Sequence, residues 1–267
     1  MIQRVLTALV GIPALAALLW VRGWVADLVI VIATMIGLYE EYAAFKKKGY
    51  RPCMWPGYAC AAALWPAFAW KGVMVLFPLM TCAMMLAIFG IVRREKPDWT
   101  DAATSVYPIF TVFLPMAFFM ELLSEARQPL GLVLIIFVFA IAFGGDILAY
   151  LVGSTMGKHK LCPAVSPKKT VEGAIGGLLG SAVACLIATA AFRAFGVETP
   201  SYAVALALAV IGGAAGQVGD LAASLVKRHC GIKDFGSIFP GHGGIMDRLD
   251  SVMFALIVVC SYCIVLV

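Results

Sequence analysis

Apolar residues run through this chain in long unbroken blocks separated by short polar stretches, without the alternation that marks a half-buried strand. Nine blocks approach the ~20 residues that cross a bilayer as a helix. They cover 4–21, 24–45, 55–70, 72–92, 104–123, 130–151, 173–194, 201–226 and 248–266. The third is short and contains Pro66. A membrane barrel strand would alternate with a period of two. The pattern therefore predicts an all-α polytopic membrane protein, each span satisfying its own backbone. The first block is longer than the 7–15 apolar residues of a secretory signal core. With Trp20 and Trp24 as interface anchors, it is expected to be a retained span. The chain shows no repeat, low-complexity tract or soluble module. It reads as one integral-membrane domain over 1–267, with N-terminal spans in 1–130 and the chemistry-bearing helices and loops in 131–267.

Composition strengthens this picture. Of 267 residues, 63% are hydrophobic and only 13% charged, against about 25% charged in soluble domains. Mean hydropathy is +0.97. A soluble globule cannot hide that much apolar surface. The eight cysteines suggest no disulfide framework, because Cys60, Cys82, Cys185 and Cys260 lie inside apolar blocks.

Charge orients the chain. With nine alternating spans and the N-terminus in the cytoplasm, 16 basic residues fall on the cytoplasmic side. Arg22, Lys71, Arg127 and Arg193 are the 4 on the other. That asymmetry follows the positive-inside rule and places the C-terminus opposite. The net charge of +5 is then loop charge beside anionic headgroups, and a nucleic-acid partner is not needed to explain it.

Two cytoplasmic loops, about 152–172 and 227–247, are long for connections and so draw attention as functional. Acidic residues adjoin them: Asp146 in "FGGDILAY", Asp220 in "GQVGDLAASLVKR", and Asp247 and Asp250 opening the last block. Carboxylates are costly near a membrane interior and are functional candidates by default. Asp247 and Asp250 are three apart, and Asp220, Ser224 and Lys227 step by four and three, so each set shares a helix face. Opposed carboxylates need a cation between them or a shared proton, and hard oxygen ligands suggest Mg²⁺ bridging to substrate phosphates. The plainer alternative pairs Asp247 with Arg248 or Lys227 and has the acids cap the last helix. Lys158, Lys160, Lys168 and Lys169 from one loop, and Lys227, Arg228 and Lys233 from the other, supply positive charge. "FPGHGG" offers backbone N–H groups at a helix start. Acids for metal, bases for phosphate and a membrane interface together point to a polyphosphate meeting an anionic lipid.

The stretch from Ser224 to Asp250, "SLVKRHCGIKDFGSIFPGHGGIMDRLD", resembles the signature of the CDP-diacylglycerol synthase (phosphatidate cytidylyltransferase) family. Lys227-Arg228, Lys233-Asp234, Pro240, His242-Gly243-Gly244, Asp247-Arg248 and Asp250 all match. Asp146, Ala149-Tyr150, Gly153, Gly157 and "SPKKTVEG" fit as well, so the specific resemblance covers about 140–255. It implies that CTP and phosphatidate give CDP-diacylglycerol and pyrophosphate with Mg²⁺, a second cation being left open. The implied catalytic set is Asp220, Ser224, Lys227, Arg228 and Asp247. Asp220 and Asp247 would bind metal with Asp250 and Asp146 in support, and Ser166, Lys168, Lys169, Lys233, His242 and Arg248 would contact substrate. The expected setting is a multi-pass inner (cytoplasmic) membrane protein whose site faces the cytoplasm and takes phosphatidate from that leaflet. A homodimer is left open. The rivals are a cation-coupled transporter, and a related enzyme that transfers CTP-derived groups to another lipid or polyprenol.

Overall fold

The structure is a computed structural model that describes residues 17–21, 23–239, 241 and 243–266. Beyond the helical turn at 17–21, nine α-helices among the described residues follow in order: α1 (Gly23–Lys47), α2 (Trp55–Lys71), α3 (Leu76–Val92), α4 (Trp99–Pro108), α5 (Leu114–Leu123), α6 (Leu130–Met156), α7 (Val171–Ala194), α8 (Tyr202–His229) and α9 (Met246–Leu266). Seven helical stretches among the described residues are long and apolar enough to cross a membrane. The protein is an all-α polytopic membrane protein. The expected first span, 4–21, lies outside the described residues except for its helical last turn, 17–21. The third block forms α2, whose 17 residues reach about 26 Å, just short of a ~30 Å hydrocarbon core.

By contacts the chain forms two compact units, one of Met1–Glu125 with Val226–Leu249 and one of Ala126–Leu225 with Asp250–Val267. In the first unit, Leu38, Tyr42, Leu64, Ile91, Ile109, Phe113 and Leu122 are fully buried. The Tyr42 hydroxyl donates to the Ser105 carbonyl at 3.0 Å, so the one polar atom on this core ring is satisfied. Asp98 caps α4 by accepting from Thr100 N at 2.7 Å. Between α4 and α5 the helix widens into a π-turn, Ile109–Phe113, bracketed by Pro108 and Pro115. Each proline removes a ladder N–H and crowds the preceding turn, which is where one continuous span (Trp99–Leu123) takes up a π-turn.

In the second unit α6 and α7 pack backbone to backbone. A side chain on Gly180 would overlap the Gly144 carbonyl, and one on Gly144 would meet the Ala184 methyl. Without a hydrophobic drive between helices in lipid, such small-residue contacts supply the packing. Gly180→Val is expected to force the helices apart at a cost of about 1–3 kcal/mol, read as a lower unfolding midpoint in detergent. Between them the expected 152–172 loop is largely ordered: α6 continues to Met156, and an antiparallel hairpin of β1 (Lys160–Cys162) and β2 (Ser166–Thr170) follows. Thr170 ends β2 and caps α7, its hydroxyl accepting from Gly173 N at 3.1 Å.

Candidate functional site

The hairpin, α6, α7 and α8 enclose a cavity of about 470 Å³ in the second unit, within the size range of small-molecule sites. Asp146, Tyr150 and Ser154 come to it from α6, Lys168, Lys169 and Thr170 from β2, and Gln217 and Asp220 from α8. Gly153, Gly173 and Gly216 also line it. A side chain on Gly173 would press on the Ala149 carbonyl and Gly153, so Gly153 and Gly173 let α6 and α7 meet closely beside the cavity. Lys169 Nζ lies 2.5 Å from Asp220 Oδ2, both groups partly screened from solvent. Ser224, one turn on, directs its hydroxyl at Asp220 Oδ1 at 3.4 Å. Gln217 Nε2 donates to the Ala174 carbonyl at 2.9 Å and so ties α8 to α7 beside the cavity. The hairpin is clasped at its base by Glu172, which accepts from the backbone N–H groups of Lys158 and His159 and lies 2.6 Å from His159 Nδ1.

The second group of predicted residues belongs to the first unit. Asp247, at the start of α9, is buried and accepts three hydrogen bonds. Lys227 Nζ reaches Oδ1 at 2.9 Å, while Phe235 N and Gly244 N reach Oδ2 at 2.8 and 2.9 Å. The Lys227 ammonium also sits 5.3 Å from the centroid of the Phe235 ring. Of the partners that spacing left open for Asp247, the structure selects Lys227. A side chain on Gly243, whose φ is +85°, would strike the Asp247 carboxylate, so the loop closes tightly on it. His229 stacks on Tyr50 and hydrogen-bonds to its hydroxyl at 2.7 Å, pinning the end of α8.

The remaining predicted residues are placed as follows. Asp146 is exposed at the cavity, which it shares with Asp220. Asp250, in the second unit, accepts from Ser251 N. Ser166 opens β2 opposite Cys162 and is not among the cavity-lining residues. Arg228, Lys233 and Arg248 are exposed, and His242 lies outside the described residues. Among the described residues no group of three or more His, Cys, Asp or Glu side chains is arranged to hold an ion unaided. Sequence reasoning passed over Gln217 and Glu40. The signal for Glu40 was present in the adjacent acids of "LYEEYAA" inside an apolar block.

A profile of the cytidylyltransferase family matches residues 2–266. This chain belongs to that family. Sequence relatives agree. A phosphatidate cytidylyltransferase of Staphylococcus aureus is 40% identical over 187 residues, 70% of this chain and 68% of that protein. One from Staphylococcus saprophyticus is 38% identical over 190 residues, 71% of this chain and 70% of its own length. One from Staphylococcus epidermidis is 33% identical over 259 residues, 95% of both chains. Membership of the cytidylyltransferase family thus extends through the N-terminal spans, where the motif resemblance was silent.

Proposed function

We infer that this chain transfers the cytidylyl group of CTP to phosphatidate, giving CDP-diacylglycerol and pyrophosphate. The observation that carries this is the family match along the whole chain, which includes the residues of a cavity holding two carboxylates and two lysines.

The chemistry suits those residues. A phosphate monoester has a second pKa of about 6, so phosphatidate meets the enzyme largely as a dianion. One of its oxygens attacks the α-phosphorus of CTP, and the bond to the β-phosphate oxygen breaks as pyrophosphate leaves. No side chain has to remove a proton, so catalysis rests on positioning and charge. Lys168 and Lys169 bind and orient the phosphates. Asp220 holds Lys169 in place, and a bound triphosphate would compete for that ammonium. The donor set of the cavity, two carboxylates with room for phosphate oxygens, fits a Mg²⁺ ion, which commonly takes one or two protein carboxylates and completes its shell with substrate and water. Asp220 and Asp146 are its proposed holders; when bound it supplies charge neutralisation at the phosphates. The role proposed for Lys227 and Asp247 is to set the basic groups around them: Arg228 at the end of α8, Lys233 in the loop and Arg248 in the first turn of α9.

The basic-residue asymmetry supports nine spans with the N-terminus inside, a multi-pass inner-membrane location and a cytoplasmic site. The deciding experiment supplies phosphatidate liposomes, labelled CTP and Mg²⁺ to purified protein and follows CDP-lipid. Metal-dependent product is expected. Protein that binds CTP yet makes no product with phosphatidate, while another lipid or polyprenyl phosphate is converted, would overturn the acceptor.

A further inference from the structure

Glu40 and Glu41 stand side by side in α1, and both are buried, each with 2% of its surface exposed. Adjacent helical positions face different neighbours, and these two carboxylates do different things. Glu41 accepts from the Thr111 hydroxyl in the π-turn at 2.7 Å. Glu40 reaches residues some 205 positions away in sequence: Ile245 N donates to Oε1 at 3.1 Å and Met246 N to Oε2 at 2.9 Å.

Those two N–H groups open α9, where the first donors of any helix lack intrahelical partners. The residue preceding the helix is Ile245, whose side chain has no acceptor, so the usual local cap is missing. The carboxylate of a different helix takes its place, with negative charge at the positive end of the dipole. The loop is also moulded around that carboxylate. A methyl group on either Gly236 or Gly244 would overlap the Glu40 oxygens. Phe235 and Gly244 are also fastened by Asp247, which accepts from both backbone N–H groups and from Lys227.

We propose that Glu40 is a positioning residue for cytidylyl transfer: from α1 it fixes the backbone at Gly236 and at 244–246 and thereby the placement of Lys227 and Asp247. The proposal rests on the transferase reading above. It explains why a costly carboxylate is retained inside an apolar helix, since two charge-assisted backbone bonds aimed by a rigid helix locate a loop more narrowly than apolar packing does. Glutamine at 40 is isosteric but can accept from only one of the two N–H groups and turns an NH₂ toward the other.

The test compares wild type, E40Q, E40D and E41Q, reconstituted with phosphatidate, by backbone hydrogen exchange and by steady-state kinetics in CTP. E40Q is expected to exchange at Ile245 and Met246 at least about tenfold faster. Its kcat should fall at least about tenfold, with the KM for CTP within about threefold of wild type. E40D, which keeps both acceptors on a shorter stem, should recover part of each effect, and E41Q should leave loop exchange as in wild type. Wild-type exchange in E40Q, or fast exchange with unchanged kcat, overturns the proposal, as does an equal loosening of the loop in E41Q. If E40Q is not recovered folded, E40D carries both measurements, and fast exchange with wild-type kcat in that variant overturns the proposal equally. A wild type that converts no phosphatidate would remove the transferase reading, and with it this role for Glu40. The exchange data would still report whether Glu40 holds the loop.

Discussion

Asp220→Ala is expected to lower the rate of CDP-diacylglycerol formation by about 10²–10³-fold, the usual scale for deleting one fixed charge that acts on the reacting groups. The carboxylate is the partner of Lys169 at 2.5 Å, lines the same cavity as Asp146, and faces the Ser224 hydroxyl. Its removal takes away a proposed cation ligand and also releases Lys169 from its set position. Asp220→Asn keeps the volume and should be nearly as inactive, which separates loss of charge from loss of packing. Lys169→Met should instead act mainly through the KM for CTP, since an ammonium held for a phosphate contributes to binding as well as to the transition state. Initial rates across CTP and Mg²⁺ concentrations measure all three. Turnover of Asp220→Ala within a few-fold of wild type would move the reaction away from this cavity.

The second large effect concerns the Lys227–Asp247 pair. Its side chains are only 12% and 2% exposed, and breaking a buried pair from one side leaves a charge without its partner. Lys227→Met should cost about 3 kcal/mol, or roughly 6–12 °C in unfolding midpoint for a chain of this size. Asp247→Ala should cost more, because Phe235 N and Gly244 N also lose their acceptor. Both variants should be catalytically impaired. The double variant should be less destabilised than the sum of the singles, since the two residues interact directly. Thermal unfolding in one detergent, together with CDP-lipid assays, gives the full cycle. Strict additivity would mean that the pair contributes nothing as a pair.

Much of this protein could be read from its sequence because a bilayer imposes a local rule. A helix must be apolar for the thickness it crosses, so span positions are written in consecutive residues, and most expected blocks coincide with helices to within a few positions. The carboxylates and lysines were legible for the same reason, since charge stands out where hydrocarbon is the norm. The family signature between Ser224 and Asp250 was equally local. Other features were not local. Spacing could place Asp247 near either Lys227 or Arg248, and only the folded loop brings the Lys227 ammonium to its oxygen. The 152–172 segment gave no strand signal strong enough to predict a hairpin, which exists because β1 and β2 pair with each other over the base of α7. Glu40 is the clearest case: an acid in α1 finds its donors at the start of α9. Hydropathy is a property of each segment and can be summed along the chain. The partner of a buried charge depends on the register and neighbours of packed helices, which no single segment contains.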